Sequence, residues 1–248
     1  MTNAAHPAPQ WTPVARVRSH ELVIAAIEDQ ILGGALKVGD PLPSERELAA
    51  HLQVSRAGVR EAIRVLEAQG VVTANVGAGP EAGTFIAAMP SAALTRFLRL
   101  HVALSNFAMP DIVDARVILE RNSAALTAVN AGDAERAAIR APLLDMDSAG
   151  IDVERFNDAD TAFHVAIAEA SGNRLVSDMT VAIRASLRQP ILDAMRRVDD
   201  WPALARVLQS QHHGIFDAIE AGDGERAADL TEQHIRGSFD ALAGLRSS

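Results

Sequence analysis

PSERELAAHLQVSRAGVREAIRVLEAQG, residues 43–70, holds two short helical patterns joined by a tight turn. Ser44 followed by Glu47 is a capping box, in which the hydroxyl accepts from a first-turn N–H and the carboxylate reaches back to the cap, so a helix starts there. Its inward face is Leu48, Ala49 and Leu52, and it ends near Gln53. Ser55 caps the next helix, whose apolar stripe is Val59, Ile63 and Leu66 with Ala62 beside it, and Gly70 ends it. Arg56 and Arg60, one turn apart, share a face roughly opposite that stripe and project away from the core. Two short helices in this relation, with guanidinium groups on the outer face of the second, predict a helix-turn-helix. A guanidinium pairs with the major-groove edge of guanine or clamps a phosphate, and helix N-termini such as those at Ser44 and Ser55 favour phosphate oxygens. The pattern leaves one alternative open: the arginines only pair with Glu45, Glu47, Glu61 and Glu67 on a solvated surface.

Working outward, residues 19–32 space Leu22, Val23, Ala26, Ile27 and Ile31 as one helical face, and the Gly33-Gly34 pair stops the helix. GALKVGDPLP reads as a loop. GVVTANV and GTFIAA are two short strands around the glycine-rich GAGPEAG, which predicts a hairpin and hence a wing. Beyond Met89-Pro90 only helical patterns follow, roughly at 91–107, 110–131, 133–147, 152–171, 173–196, 201–221 and 224–243. The tripeptide AGD occurs at 131–133 and again at 221–223; Gly is expected to end one helix and Asp to cap the next. The expected fold class is therefore mainly α. Residues 1–18 form a flexible N-terminal segment, 19–88 a winged helix-turn-helix of three helices and a β-hairpin, and 91–243 an all-α antiparallel helical bundle.

Composition agrees with that class. Aromatic residues make up 4% of the 248 and tyrosine is absent, so alanine, leucine, valine and isoleucine must fill the core, which favours helices. The absence of cysteine excludes disulfides, thiolate metal ligands and cysteine nucleophiles; a metal here is held by nitrogen and oxygen. The net charge of −9 argues against a chain coated in nucleic-acid-binding surface, but it divides as −2 over residues 1–88 and −7 over the rest, which leaves room for a local basic face in the first part. The start of the chain lacks the apolar core of a signal peptide, and no run approaches the ~18 apolar residues of a membrane span. A soluble, cytoplasmic protein without a membrane partner is expected.

PSERELA followed by VSRAGVREAIRVLEAQG resembles the DNA-binding domain of the GntR family of bacterial transcription regulators over about residues 19–87. The resemblance implies double-stranded operator DNA as partner, with Arg46, Arg56 and Arg60 contacting it, Ser44 and Ser55 on phosphates, and the wing glycines Gly77, Gly79 and Gly83 approaching the minor groove. It also implies a symmetric homodimer on a near-palindrome. Two departures stand out. Ala57 and Gly58 occupy positions that are often Thr, Ser or Pro in relatives, and the wing TANVGAGPEAGTF is longer than usual and lacks a basic residue.

In the helical part, Asp160 and His164 in DADTAFH lie one turn apart, and Ile167 continues their face inward. His212 shares a stripe with Ile215, Phe216 and Ile219, and His234 stands in line with Ala227, Leu230 and Ala241. One carboxylate and three imidazoles from three helices thus face the interior. Such a set suits a divalent ion, Zn²⁺ first and Ni²⁺, Co²⁺ or Mn²⁺ after it, with positions left open for water or a ligand. The bland alternative is three separate half-buried histidines. His213 competes with His212 but falls off the Ile215/Ile219 stripe, and His6, His20, His51 and His101 have no ligand-like spacing.

DARVILE (114–120), DADTAFH, ASGN and the HHGIFDAI…AADLTEQH ending resemble the all-helical FCD effector domain of the FadR subfamily of these regulators, over about residues 92–243. The resemblance implies that Asp160, His164, His212 and His234 bind the metal, and that a small carboxylate effector joins it; fatty-acyl ligands belong to members without this quartet. Arg116 is the anion partner this suggests, since guanidinium and carboxylate pair bidentately, with an i,i+4 salt bridge to Glu120 as the alternative. Asn173 either bonds the effector or simply marks a helix boundary beside Gly172. The function implied is an effector-responsive transcription factor, usually a repressor. Two rivals remain: a purely structural metal, and a metal-dependent hydrolase, for which the sequence offers no paired general base, phosphate loop or nucleophile elbow.

Overall fold

The computed structural model describes residues 18–75, 82–88 and 91–245. The chain divides into two compact units, Met1–Met89 and Pro90–Ser248. In the first, α1 (Ser19–Leu32), α2 (Glu45–His51) and α3 (Arg56–Ala68) precede β1 (Val72–Asn75) and β2 (Gly83–Ile86), which pair antiparallel with Val72 opposite Ile86. Each helix starts and stops for a local reason. Ser44 Oγ accepts from Glu47 N while Glu47 Oε2 accepts from Ser44 N at 3.0 Å, which closes the capping box of α2. Ser55 Oγ accepts from Gly58 N at 3.1 Å to cap α3, and Gly70, at φ +76°, ends it. Val23, Ile27, Leu48, Val59, Ala62 and Leu66 form the centre of this unit's core.

Three details differ from the sequence reading. The stretch 33–42 is more than a loop: Leu42 N donates to Thr84 O at 2.7 Å and Ile86 N to Asp40 O at 2.9 Å, so it lies along β2 as a third short edge. Leu22, placed on the inward face of α1, is 52% exposed, because Val23 and Ile27 define the buried stripe and Leu22 lies to one side of it. Gly58 is a packing position: a Cβ there would come within 2.9 Å of Ser19 Cβ, so the small residue lets α3 approach α1.

The second unit is all helical among the described residues: α4 (Ser91–Ala103), α5 (Met109–Asn130), α6 (Asp133–Met146), α7 (Val153–Ala170), α8 (Arg174–Met195), α9 (Trp201–Glu220) and α10 (Gly224–Ala241), then a 3₁₀ turn at Ala243–Leu245. No described helix is long and apolar enough to cross a membrane. Helix α4 stops four residues short of the sequence expectation because the backbone turns left-handed at Ser105, φ +53°. The two AGD tripeptides behave differently. Asp223 caps α10 by accepting from Arg226 N, as expected, whereas at 131–133 Gly132 is itself the cap of α6 and Asp133 its first residue, because Glu135 Oε2 takes the Gly132 N–H at 3.0 Å. Helix α5 packs against α7, α8, α9 and α10, which brings polar side chains from all five to one buried point.

Candidate metal centre and nucleic-acid interface

Asp160 and His164 leave one face of α7, as their spacing requires, and His212 of α9 and His234 of α10 meet them. One ligand atom from each lies within 4.8 Å of all the others, and all four residues are buried. Asp160 Oδ1 is the focus: His212 Nε2 stands 3.0 Å from it, His234 Nε2 3.8 Å and His164 Nε2 3.9 Å. Nitrogen and oxygen ligands at about 2.0–2.2 Å from a zinc-like ion lie roughly 3–4 Å from one another, so these separations are those of a ligand cage.

The outer partners point the same way. His164 Nδ1 sits 2.9 Å from Glu120 Oε2 and His234 Nδ1 2.9 Å from Gln211 Oε1; both are acceptors, so each imidazole carries its proton on Nδ1 and turns the Nε2 lone pair inward. His164 Nε2 and both ring nitrogens of His212 are sealed from solvent without a well-formed hydrogen bond among the described residues. A buried polar atom left in that state is costly, and a cation shared among these nitrogens would satisfy them. The donor set therefore fits a divalent ion.

Two arginines complete the centre, and they differ. Arg184 of α8 is 1% exposed and fully engaged: Nη1 donates to Asp160 Oδ2 at 2.8 Å, Nε to Glu120 Oε1 at 3.1 Å and Nη2 to Glu120 Oε2 at 2.6 Å. It holds one oxygen of Asp160 so that the other faces the imidazoles. Arg116 of α5 donates through Nε to Glu120 Oε1 at 2.9 Å, the salt bridge foreseen as the alternative, yet its terminal nitrogens make no further hydrogen bond among the described residues and the side chain lines the cavity beside Asp160. Both readings of Arg116 are thus compatible. Asn173 is not part of the cluster; its Oδ1 accepts from Val176 N and caps α8. His213 is half exposed and pairs with Asp147 at 2.9 Å.

Electrostatics prepare the ligands. Burial pushes His164 down to about 4, with the Arg184 charge adding to the effect, and pushes His234 down to about 3, with His212 adding to it. Both are neutral near pH 7. Burial, the largest single influence, would raise the Asp160 carboxyl, but Arg184 together with the hydrogen bonds to His212 and His234 outweighs it and holds the group well below the usual carboxylate range; Glu120, also raised by burial, is held low by Arg184, Arg116 and His164 together. The centre presents anionic oxygen and neutral nitrogen, the forms that bind metal. Its two carboxylates balance its two guanidiniums, so a divalent ion adds a positive charge that an anion would offset.

In the first unit the described contact residues predicted on the two helices are exposed. Arg46, Arg56 and Arg60 are all exposed, and Ser44 and Ser55 sit at the N-termini of α2 and α3. Arg60 lies across from Glu45, Nη2 to Oε2 at 2.9 Å, whereas Arg46 and Arg56 form no ion pair among the described residues. Gly83 opens β2 at φ +145°, a backbone that favours glycine; Gly77 and Gly79 lie outside the described residues. Sequence reasoning missed Arg184. Its signal was an arginine on the stripe that continues through Leu187 and Ile191, a position where a charge needs a buried partner.

Comparison with known proteins adds the following. Residues 20–81 match the family model described as bacterial regulatory proteins, gntR family, and residues 111–237 match the FCD domain. The chain is 30% identical over 216 residues to the HTH-type transcriptional regulator LutR of Bacillus subtilis, covering 86% of this chain and 96% of that protein. It is 30% identical over 231 residues to the HTH-type transcriptional repressor NanR of Salmonella newport (90% and 85% covered) and 26% identical over 221 residues to the Glc operon transcriptional activator of Escherichia coli K12 (87% and 85%). Among solved structures, a GntR protein of Streptococcus agalactiae shares the fold with a TM-score of 0.63 at 24% identity, over 92% of this chain and 100% of that one.

Proposed function

Since the chain belongs to the gntR family of bacterial regulatory proteins and carries an FCD domain, we propose that this sequence-specific DNA-binding regulator is controlled by a small carboxylate held at a divalent metal in its helical unit. The observation that carries the proposal is the convergence of Asp160, His164, His212 and His234 around Asp160 Oδ1, with inward lone pairs left unsatisfied. The ion, zinc in the first instance, supplies a Lewis-acid anchor for an anion. Arg116 keeps its Nη1/Nη2 fork for that anion while Glu120 fixes its Nε; Arg184, with all its contacts spent on Asp160 and Glu120, positions the cage.

At the other end of the chain, Arg46, Arg56 and Arg60 read or clamp operator DNA, Ser44 and Ser55 meet phosphates, and the wing follows the adjacent groove. Arg60 must exchange Glu45 for DNA, an exchange that costs little at an exposed pair. A homodimer places two such helices on the half-sites of a near-palindrome. Repression is the direction we assign, because a dimer seated on an operator blocks polymerase with no further contact, whereas activation needs an additional attracting surface. The carboxylate is an allosteric effector only if it prefers one of two states and operator DNA the other.

The test is operator binding by fluorescence anisotropy, on DNA selected with the zinc-loaded protein, with and without a panel of carboxylic acids, and again after metal removal. At least one acid should change operator affinity in the loaded protein only. Operator affinity indifferent to every acid in both forms would leave the metal a structural role and remove the effector.

A further inference from the structure

Three of the five Lys and Arg residues between positions 19 and 88 stand on α3, and they stand in one row: Arg56, Arg60 and Arg64. A step of four residues advances about 40° around a helix and about 6 Å along it, so Arg64 leaves the surface beside Arg60, roughly 12 Å beyond Arg56 toward the C-terminal end. Val59, Ala62, Ile63 and Leu66 are buried on the opposite side, and the Arg64 side chain is 69% exposed. Its guanidinium makes no hydrogen bond among the described residues. The one carboxylate within reach among them is Glu61 Oε2, at 3.9 Å, the outer limit of an ion pair and itself solvated. Such a pair holds neither side chain in place. Arg60, by contrast, is met by Glu45 at 2.9 Å.

We propose that Arg64 is a further DNA contact: a clamp on a backbone phosphate at the lip of the groove that Arg56 and Arg60 enter, with no base preference of its own. The inference rests on the reading of α3 as the DNA-facing helix and adds a residue to it. A recognition helix meets base edges with its N-terminal residues, and the major groove is about 12 Å wide, so a side chain one groove-width farther along meets the sugar-phosphate wall. Contacts of that kind fix the register of a protein on the duplex and supply most of its charge-dependent affinity. The wing cannot supply them: residues 72–88 hold no Lys, Arg or His, and their single charged residue is Glu81. The whole of residues 1–88 carries seven Lys and Arg against nine Asp and Glu, so phosphate must be met by a few well-placed cations. Arg64 is placed for it, with its donors unspent.

The experiment is fluorescence anisotropy of the full chain on two duplexes of equal length, an operator selected with the parent protein and a scrambled sequence, over a series of salt concentrations, for the parent, Arg64→Ala, Arg64→Lys and Arg60→Ala. Arg64→Ala should weaken binding by about fivefold near physiological salt for each copy of the chain on the DNA, and by the same factor on both duplexes. The slope of log affinity against log salt should become shallower by about 0.9 per copy, because one phosphate fewer is neutralised. Arg64→Lys should keep the slope, since a phosphate accepts a point charge, and the melting temperature of both Arg64 variants should match the parent's. Unchanged affinity and slope in Arg64→Ala overturn the clamp. A loss confined to the operator makes Arg64 a reader of bases and overturns it as well. So does a loss that comes with a lower melting temperature and is not restored by lysine, which makes the residue structural. Arg60→Ala separates this inference from the reading beneath it: if it weakens operator binding while Arg64→Ala binds like the parent, only the clamp falls, and if neither variant alters binding, α3 is not the DNA-facing helix.

Discussion

The arginines of α3 and the arginine of α8 are the same side chain put to opposite uses. Arg56 stands in solvent with no ionic partner among the described residues, its donors free for another molecule, whereas Arg184 is 1% exposed and gives three donors to two carboxylates. The exposed fork contributes little to the fold and is the one we propose reads DNA. The buried one is part of the fold and contacts nothing outside it. What separates them is position relative to the apolar stripe: Arg56 and Arg60 lie opposite Val59 and Leu66, while Arg184 lies on the stripe with Leu187 and Ile191.

The sharpest way to break that contrast is Arg184→Met. It strands Glu120 and Asp160 in a buried site, and losing one partner of such a network costs about 3–5 kcal/mol. Urea unfolding of the metal-free variant should show a loss of that size, and zinc should recover part of it by supplying positive charge near Asp160. A stability equal to the parent's would make Arg184 as dispensable as a surface residue.

Acid should come next. The folded unit holds His164 at about 4 and His234 at about 3, so between those values and about 6.5 the unfolded chain binds protons that the folded chain does not. Stability of the metal-free protein should therefore be complete above about pH 6.5 and fall as pH drops toward 4, by about 3 kcal/mol for each of the two histidines. The lowered Asp160 and Glu120 add a further loss below the ordinary carboxylate range. Unfolding followed from pH 8 to 3 checks this, and a flat profile across 6.5 to 4 would mean that the imidazoles are not held neutral by burial.

On the exposed side, Arg60→Ala should weaken operator binding about ten- to a hundredfold and leave the melting temperature unchanged, the reverse of the Arg184 result. Unaltered operator affinity would remove α3 from the interface. The smallest effect is expected of Glu45→Gln, which frees Arg60 from its surface partner: operator affinity should rise no more than about threefold, read in the same anisotropy assay. A loss of binding instead would show that Glu45 aims the guanidinium at DNA.

These contrasts mark what could be read in the sequence. Capping boxes, apolar stripes and glycine stops are local, and they placed α2, α3 and the seven helices of the second unit to within a few residues. The convergence of Asp160, His164, His212 and His234 was legible for the same reason, because each sits on an apolar face of its own helix and a lone Asp or His there needs a partner. What stayed hidden depends on tertiary contact. The pairing of residues 39–42 with β2 has no periodicity to announce it, and the choice between the two AGD geometries turns on Glu135, three residues beyond Gly132. Asn173 was ambiguous because a boundary asparagine serves a cap and a ligand with the same amide, and only the position of the cavity separates the two.

The measurement that bears most directly on the centre is a calorimetric titration of metal-free protein with Zn²⁺ at pH 7, repeated with His212→Ala and His234→Ala. We expect one ion taken up per chain, with each variant losing most of the affinity while still folding. No uptake by the parent protein, or uptake that both variants retain in full, would contradict the assignment of Asp160, His164, His212 and His234 as the metal cage.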